Sequence, residues 1–462
     1  LLQRVGSAVS LEQVVAVSAS AQQHGSVYWK TGAHAKLEKL QAVDMSGQQL
    51  KGMLAGCFAT EDCPIWADSS TQTECVALEK ALGGAEALAA LTGSRAYERF
   101  TGQQIARMAC RAPDIWAVTE RVSLVSSFVS SLLCGDYAAI DTSDAGGMNL
   151  MDLNTRKWSD AACTATAPDC RVKLGSEPVE PWTVLGPICA YFQQRYKFSS
   201  SCSVVCCSGD NPNAIVGLRL GPGDVAISLG TSDTLMGVMS KPAPKKEGHV
   251  MCHAGEPDTY FAMLVYKNAD VVRRQVRDTC SEGDWGLFSR QLNESRPGND
   301  GNILLGVLAD EITPPITQLG FHREDAAGHR TNTHTHAPCD VRGVVEGRFL
   351  SMVTRAAALG IPMPPRRVLL TGGASANMQI CQVLADIFKT NVFTDTSAGA
   401  DSAALGAALR ARAAVRGQMV KESESEVELV ARCRVVARAN VAVADLYEAM
   451  LPRFAAFEQS LL

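Results

Sequence analysis

Residues 366–377 read RRVLLTGGASAN, an apolar run followed by two glycines, small residues and an asparagine. The run predicts a buried strand at 366–371, and the 3.6-residue spacing of the apolar residues after it predicts a helix over 377–389. A glycine pair between a strand and a helix N-terminus favours a bound nucleotide, because small residues admit a flat base or sugar and a helix start attracts anions. The stretch matches neither the Walker nor the dinucleotide-binding fingerprint.

Short β-branched runs alternate with longer segments of helical period in both directions from this stretch. The alternation predicts an α/β fold with largely parallel sheets. The predicted strands are 13–19, 202–207, 224–229, 366–371 and 391–395. The predicted helices are 72–91, 114–134, 377–389, 401–414 and 441–460.

A domain boundary is predicted at residues 221–223, where two glycines flank a proline between a helical pattern and a new strand. We therefore divide the chain into 1–221 and 222–462. Segments 240–248 and 321–340 are interpreted as loops, the first because of its prolines and lysines and the second because it is polar.

The composition indicates a globular chain with a small-molecule partner. Of 462 residues, 46% are hydrophobic and 20% charged, and the net charge of -5 gives no electrostatic reason to expect nucleic acid or an anionic membrane. The 16 cysteines lack the spacing of a disulfide framework, which indicates a reducing compartment. No apolar run is long enough to span a membrane, and residues 1–5 show no charged segment followed by an apolar one, so we expect a cytoplasmic location.

Residues 204–212 read VVCCSGDNP, an apolar strand that ends at a glycine followed by Asp210 and Asn211. Active sites of open α/β sheets lie beyond the carboxyl ends of strands. A carboxylate there can take the proton from a substrate hydroxyl that attacks a phosphoryl group, and an amide can orient that hydroxyl. Ordinary Asp-Asn-Pro turn chemistry explains the same residues equally well.

Two further strand ends carry polar residues. In residues 225–234, VAISLGTSDT, Gly230 and Thr231 follow a strand and suit a phosphate, although a simple hairpin turn is the commoner explanation. His24 follows the strand predicted at 13–19, where a single histidine more often has a structural role. Residues 94–102, SRAYERFTG, suit the binding of a polyol through arginine hydrogen bonds, or form a solvated turn.

A cluster of histidines falls in the predicted loop 321–340. Its spacing matches no regular zinc pattern, so we expect no metal site there. The cluster comprises His322, His329, His334, His336 and Cys339.

Three stretches resemble signatures of the FGGY carbohydrate kinase family, in its eukaryotic xylulokinase branch. They are QQHGSVYW at 22–29, LTGSRAYERFTG at 91–102 and GDNP at 209–212. The resemblance runs along nearly the whole chain. It implies an α/β fold of the actin-like ATPase (ribonuclease H-like) type, with two domains closing on a cleft and a first domain that lacks its start.

The resemblance also implies an activity, the ATP-dependent phosphorylation of D-xylulose at its 5-hydroxyl with Mg²⁺ as the metal. The residues implied to contact the ketose are His24, Arg99, Asp210 and Asn211, with Asp210 as the general base. The residues implied to contact ATP are Gly230 and Thr231, as the second phosphate-binding loop, and Trp285, Gly372, Gly373 and Asn377, as the adenine nucleotide site.

The sequence departs from the family pattern at two points. Family members open with a β-hairpin that bears an aspartate and small hydroxyl residues, the first phosphate-binding loop, and no segment here corresponds to it. Its loss would remove a ligand partner of Mg²⁺, and we expect that the missing segment lies upstream of residue 1 in the natural protein. Ser70, in WADSS at 66–70, stands where many relatives have arginine.

Two alternatives remain open. The chain is a kinase of another polyol, such as glycerol, ribulose or gluconate, because a fold alone does not select a substrate. Otherwise it is a degenerate homologue that binds sugar or nucleotide without transferring phosphate, which the missing loop favours and the presence of Asp210 opposes.

Overall fold

The computed structural model describes residues 1–42, 49–331, 337–395, 401–420 and 432–462. Within these ranges the helices are α1 (Leu2–Gly6), α2 (Ala33–Glu38), α3 (Leu50–Met53), α4 (Gln72–Ala81), α5 (Ala85–Thr92), α6 (Thr101–Arg111), α7 (Pro113–Val118), α8 (Val125–Cys134), α9 (Thr142–Ala145), α10 (Asp160–Thr166), α11 (Cys170–Leu174), α12 (Ala190–Tyr196), α13 (Asp210–Gly217), α14 (Asp270–Cys280), α15 (Trp285–Glu294), α16 (Ala337–Ala358), α17 (Met378–Phe388), α18 (Ser402–Val415) and α19 (Val441–Gln459). Short 3-10 helices lie at Leu11–Gln13, Lys39–Gln41, Asn299–Gly301 and Gly373–Ala376.

The strands in the same ranges are short at the start of the chain and longer in its second half. They are β1 (Ala16–Val17), β2 (Ser20–Ala21), β3 (Ser26–Lys30), β4 (Thr119–Leu124), β5 (Met151–Asp152), β6 (Lys157–Trp158), β7 (Val184–Pro187), β8 (Ser203–Val205), β9 (Ser208–Gly209), β10 (Asp224–Leu229), β11 (Asp233–Met239), β12 (His249–Cys252), β13 (Tyr260–Tyr266), β14 (Ile303–Val307), β15 (Gly320–Glu324), β16 (Arg330–Thr331), β17 (Arg367–Thr371), β18 (Val392–Asp395) and β19 (Cys433–Ala437).

The chain forms two compact units. The first comprises Leu1–Arg219, Met251–Thr259 and Ala400–Glu422, and the second comprises Leu220–Val250, Tyr260–Gly399 and Ser423–Leu462. The division of the sequence after residue 221 stays a prediction about domains. It carries no signal for the two later segments that return to the first unit.

In the first unit, two parallel strand pairs bring polar residues to one edge. β1 pairs with β8, and β2 pairs with β9 through Ser20↔Ser208 and Ala21↔Gly209. Parallel neighbouring strands end at the same edge of a sheet. The turn that contains His24 follows β2 and α13 follows β9, so this turn and the start of α13 lie side by side. The strands predicted at 13–19 and 202–207 are each interrupted and are shorter than expected.

Close helix contacts hold α13 in place. A Cβ atom at Gly217 would lie 1.8 Å from the carbonyl oxygen of Ser402 in α18, and one at Gly406 would lie 1.8 Å from that of Asn213. Only glycine permits such contacts, because any larger residue would overlap backbone atoms of the other helix. The buried Arg410 of α18 also donates to Oδ1 of Asn213 at 2.9 Å.

Two helix predictions in this unit were wrong in detail. The segment predicted as one helix at 114–134 contains α7, β4 and α8, because residues 119–124 pair antiparallel with β3 and this tertiary pairing overrides the local helical pattern. The helix predicted at 72–91 is split into α4 and α5 by Gly83 and Gly84, which have φ angles of 88° and 102°.

The second unit is built on a seven-stranded sheet with the order β12-β13-β11-β10-β17-β18-β19. β10 pairs in parallel with β17, and β17 with β18. However, β10 and β11, β11 and β13, and β18 and β19 pair antiparallel, so the prediction of a largely parallel sheet was wrong for this unit. The reason is that the three residues 230–232 join β10 to β11 as a hairpin, which forces opposite directions.

The other elements predicted in the second half of the sequence are confirmed within two residues at each end, namely β10, β17, β18, α17, α18 and α19. The loop predicted at 321–340 was wrong, because it contains most of β15, all of β16 and the start of α16. Its polar residues are accommodated by pairing with the buried strand β14 and by a buried ion pair, Arg323 Nη2 to Asp340 Oδ2 at 3.0 Å. In the described ranges, no helix combines the length and apolar character needed to cross a bilayer.

Candidate active site

His24 lies in a buried, tightly packed turn after β2. Its backbone has a φ angle of 69°, its ring stacks on Phe100 with 4.7 Å between centroids, and its Nδ1 lies 3.1 Å from the carbonyl oxygen of Gly147. Burial, followed by the nearby Arg99 guanidinium, lowers the pKa of His24 to about 3. The ring is therefore neutral at physiological pH, with the proton on Nδ1, where it can be donated to the carbonyl, and Nε2 free to act as an acceptor.

Gly147 makes this contact possible. A Cβ atom on Gly147 would lie 2.8 Å from Cε1 and 2.9 Å from Nδ1 of His24. A side chain at position 147 would displace the imidazole ring, so this glycine fixes the ring position.

Arg99 is supported by aromatic rings. Its guanidinium carbon lies 5.0 Å from the ring centroid of Tyr97 and 5.7 Å from that of Phe100. Since Phe100 also stacks on His24, this one aromatic side chain orients both His24 and Arg99. Desolvation by burial lowers the pKa of Arg99, which nevertheless remains charged.

Asp210 and Asn211 open α13 next to the His24 turn. Oδ1 of Asp210 accepts from the backbone N–H of Gln23 at 3.3 Å and from that of Asn211 at 3.1 Å. The surrounding protein raises the pKa of Asp210 mainly through desolvation, with a smaller contribution from Asp401. The structure thus brings His24, Arg99, Asp210 and Asn211 together in the first unit.

Buried carboxyl groups behind this cluster were not anticipated from the sequence. Asp144 accepts from Nε2 of Gln23 at 3.2 Å and contacts Oγ of Ser126 at 2.6 Å, and burial, followed by repulsion from Asp141, raises its pKa to about 8. Asp141 caps α9 and accepts from the N–H of Ser143 and of Asp144. The sequence contains a signal for this, since the aspartates precede a glycine pair at 146–147 that a tightly packed site requires.

A departure from the family pattern noted in the sequence has a local role in the same unit. Oδ1 of Asp68 accepts from the N–H of Ser70 at 2.9 Å, from its Oγ at 2.6 Å and from Nε2 of Gln104 at 2.9 Å. Ser70 therefore closes a turn on Asp68, and the shape of this turn does not depend on an arginine.

The second unit contains a cavity of about 820 Å³. Predicted nucleotide-binding residues line it from three segments: Gly230 and Thr231 from the β10–β11 hairpin, Trp285 from the start of α15, and Gly373 and Asn377 from the turn before α17. A cavity of this size accommodates a ligand as large as a nucleotide. The hairpin expected as the commoner explanation for residues 230–232 is present, and it also forms part of the cavity wall.

Gly372 supports the cavity from behind. It has a φ angle of 86°, and a Cβ atom there would lie 2.4 Å from the carbonyl oxygen of Leu229. At Gly373 a Cβ atom would meet no other atom within 4 Å. The two glycines therefore differ in role, since the first permits close packing of β17 and β10 and the second leaves space open.

Asn377 caps α17, the helix whose start was predicted at this residue. Its Oδ1 accepts from the N–H groups of Gln379 and Ile380, and its Nδ2 donates to Oγ of Ser289 at 2.8 Å. These bonds fix the start of α17 against α15, the two helices that carry Asn377 and Trp285. Trp285 itself is 38% exposed and has the Arg277 guanidinium carbon 4.9 Å from its ring centroid.

Asp270, which lines the cavity, and Asp233, behind the lining residue Arg273, are each paired with an arginine. Arg273 binds Asp233 through both nitrogens of its guanidinium end, and Asp270 lies 2.8 Å from Nε of Arg274. Among the residues that the structure describes, no three histidine, cysteine, aspartate or glutamate side chains are placed to hold a metal ion. His334 and His336 lie outside the described residues, whereas His322 contacts the carbonyl oxygen of Gln318.

Comparison with known proteins identifies the family. Two family models match the chain, the N-terminal domain of the FGGY family of carbohydrate kinases over residues 59–217 and its C-terminal domain over residues 225–415. The xylulose kinase of Mus musculus is 43% identical over 458 residues, which cover 99% of this chain and 81% of that protein. The chain belongs to the FGGY family of carbohydrate kinases. The resemblance to this family that was found in the sequence is thereby confirmed.

Other relatives agree. Xylulose kinase 2 of Arabidopsis thaliana is 45% identical over 423 residues, 89% of this chain and 74% of that protein. Among solved structures, the xylulose kinase of Rhodospirillum rubrum has a TM-score of 0.76 at 15% identity and covers 100% of this chain and 88% of its own. The glycerol kinase of Plasmodium falciparum with ADP has a TM-score of 0.70 at 13% identity and covers 97% and 84%. These structures show the fold, the actin-like ATPase type predicted for this FGGY kinase.

Proposed function

We propose that this FGGY kinase transfers the γ-phosphoryl group of ATP to the 5-hydroxyl of D-xylulose, giving D-xylulose 5-phosphate and ADP. The observation that carries the proposal is the grouping of His24, Arg99, Asp210 and Asn211 around one polar edge of the first unit. A single carboxylate next to a neutral imidazole, an amide and a guanidinium suits a hydroxyl-rich ligand. Identity of 43–45% to xylulose kinases over most of the chain supports the choice of ketose.

In this proposal Asp210 is the general base. Its carboxylate takes the proton of the 5-hydroxyl while the hydroxyl oxygen forms a bond to the γ-phosphorus, and the bond from that phosphorus to the β–γ bridging oxygen breaks to release ADP. The raised pKa of Asp210, caused mainly by desolvation, supports the role, because a stronger base accepts a proton more readily.

His24 and Arg99 form hydrogen bonds of opposite direction with the sugar. Nδ1–H of His24 is committed to Gly147, so Nε2 accepts a hydrogen bond from a ketose hydroxyl. The guanidinium of Arg99 supplies N–H donors to sugar oxygens. The pair therefore distinguishes hydroxyl donors from oxygen acceptors on the ligand.

The nucleotide is assigned to the second unit. We propose that Trp285, Gly373 and Asn377 bind the adenosine end of ATP, with Gly372 supporting the turn, and that Gly230 and Thr231 bind its phosphates. The corresponding domains are 1–221 for the ketose and 222–462 for the nucleotide. ATP would enter as its Mg²⁺ complex, and the metal would offset negative charge on the phosphates.

The partners of the protein are therefore proposed to be D-xylulose and ATP, in the cytoplasm. All sixteen cysteines lie in the described ranges and are free thiols, which fits a reducing compartment.

A sugar panel tests the proposed function. ADP release is measured for the protein with MgATP and D-xylulose, ribulose, gluconate or glycerol, each at several concentrations. We expect the highest kcat/KM for D-xylulose. Equal or higher kcat/KM for another polyol would reject the substrate, and calorimetric binding of D-xylulose without ADP release from any sugar would reject the enzymatic activity.

A further inference from the structure

Gln23 lies at the centre of a chain of directed hydrogen bonds. Its Nε2 donates to Oδ1 of Asp144 at 3.2 Å, and its Oε1 accepts from Nδ2 of Asn211 at 2.8 Å. Its backbone N–H donates to Oδ1 of Asp210. One residue therefore contacts the proposed base, the adjacent amide and a buried carboxyl group, and Gln23 is itself only 2% exposed.

The direction of the chain follows from the chemistry of its ends. A carboxyl oxygen of Asp144 accepts from Gln23, so the Gln23 amide must present Nε2 to Asp144 and Oε1 to Asn211. Asn211 must then donate through Nδ2, which leaves its Oδ1 for another donor. Within the described residues, no other residue donates a hydrogen bond to Oδ1 of Asn211 or to Oδ2 of Asp210.

Asp141 and Asp144 form a buried pair of carboxyl groups that have different surroundings. Oδ1 of Asp141 accepts from the N–H of Ser143, the N–H of Asp144 and Oγ of Ser208, and the buried Arg410 stabilises its charge. Asp144 makes no hydrogen bond to a cation among these contacts and faces the charge of Asp141, while Arg410 acts more strongly on Asp141 than on Asp144. Two such carboxyls do not both ionise at low cost, so burial and this repulsion raise the pKa of Asp144 to about 8, while its Oδ2 accepts from the Oγ–H of Ser126 at 2.6 Å.

The turn is built around these contacts. A Cβ atom at Gly209, the residue before Asp210, would lie 2.4 Å from Cγ of Gln23 and 2.6 Å from Oδ1 of Asp144. Glycine at this position allows Gln23 and Asp144 to reach the backbone that carries the base.

We propose that Gln23 is a positioning residue for phosphoryl transfer, which links Asp144 to Asn211 through its two side-chain hydrogen bonds and orients Asn211 and Asp210 toward one ketose hydroxyl. In the relay Oδ1 of Asn211 accepts from the ketose and Oδ2 of Asp210 takes the reacting proton. The inference rests on the proposed function for the identity of the hydroxyl compound.

The first test removes the relay without changing the backbone. Gln23→Met keeps the volume and the backbone N–H but loses both side-chain bonds, and we expect kcat to fall about 10- to 100-fold and the calorimetric Kd for the sugar to rise, with KM for ATP unchanged. Gln103→Met is the matched control, because Gln103 is also buried and loses one side-chain bond, to Asn149, outside the cluster. The control is expected to lose thermal stability but keep kcat.

A double-mutant cycle separates positioning from general destabilisation. If Gln23 acts through Asn211, Gln23→Met combined with Asn211→Ala is no slower than Asn211→Ala alone. Additive losses, or kcat within about twofold of wild type for Gln23→Met alone, would overturn the proposal.

Asp144 variants test the acceptor at the end of the relay. Asp144→Asn keeps an oxygen that accepts from Gln23, and the Ser126 hydroxyl can turn to accept from its Nδ2, so kcat should stay within about threefold of wild type, whereas Asp144→Leu should resemble Gln23→Met. Equal losses in both variants would show that the charged carboxylate is required. Wild-type turnover of D-xylulose reports on the proposed function separately, and all ratios use whichever sugar of the panel the wild type phosphorylates.

Discussion

Arg273 and Asp233 form a buried, two-point ion pair at the base of the β10–β11 hairpin. Nη1 of Arg273 lies 2.6 Å from Oδ2 of Asp233, and Nη2 lies 2.9 Å from Oδ1. The same Nη2 donates to the carbonyl oxygen of Gly230 at 3.3 Å. The pair thus ties α14 to the loop that carries Gly230 and Thr231, and it holds that loop in one position.

Arg273→Met should weaken nucleotide binding and stability together. Loss of one partner leaves Asp233 charged and buried, which costs about 3–5 kcal/mol of folding free energy, and the freed loop should raise the Kd for ADP. Arg274→Met is the control, because the exposed pair of Arg274 with Asp270 is worth at most about 1 kcal/mol. Chemical denaturation measures the free energy of unfolding of both variants, and calorimetry measures their Kd for ADP. Equal changes in the two variants would contradict the structural role of the pair.

The lowered pKa of His24 predicts that the stability of the protein depends on pH. This pKa is about 3 in the folded state, below the ordinary 6.5, so the unfolded chain binds more protons between these values. This contribution to stability is present in full above pH 6.5 and is lost as the pH falls toward 3. The unfolding free energy of His24→Gln should therefore decrease less steeply over this range than that of the wild type. Parallel pH profiles would show that His24 is not held neutral by burial.

Alanine substitutions at the two adjacent glycines, Gly372 and Gly373, should have different effects on stability and on nucleotide binding. Gly372→Ala places a methyl group against the backbone of Leu229 at a positive φ angle, so stability should fall by about 1–3 kcal/mol or more. Gly373→Ala adds a methyl group to open space in the cavity, so stability should be retained and ADP should bind less tightly. Thermal melts with and without ADP measure both. Reversed effects would place the nucleotide elsewhere.

Trp285 predicts an optical signal for the nucleotide. Its ring lies at the cavity wall, partly exposed, so ADP should change its fluorescence. Trp285→Phe should abolish that change, whereas Trp66→Phe should retain it, because Trp66 is 61% exposed and does not line the cavity. A titration in which both variants respond like the wild type would exclude Trp285 from the nucleotide site.

The sequence predicted the fold class and the site best where local chemistry decides the structure. The apolar run, the glycine pair and the helical spacing that follows predicted β17, its turn and α17, because propensity and turn chemistry act locally. The signature stretches led to His24, Asp210 and Asn211, which the parallel pairing of β2 with β9 brings to one edge.

Long-range contacts account for what the sequence did not predict. β4 was predicted as helix because its partner β3 lies about ninety residues earlier, and the sheet of the second unit is mixed because one hairpin reverses its direction. Asp144 and Arg273 have no local motif, and their roles depend on burial and on partners such as Gln23 and Asp233 that are distant in sequence.

The most direct test of the central claim is the replacement of the proposed base. Wild type and Asp210→Asn are compared by coupled ADP release with D-xylulose and MgATP, and by calorimetry with D-xylulose alone. We expect kcat to fall by about 10²- to 10⁴-fold in Asp210→Asn while the Kd for D-xylulose stays within a few-fold, because the amide keeps the shape of the side chain but cannot take the proton. Near-normal turnover by Asp210→Asn would contradict the account.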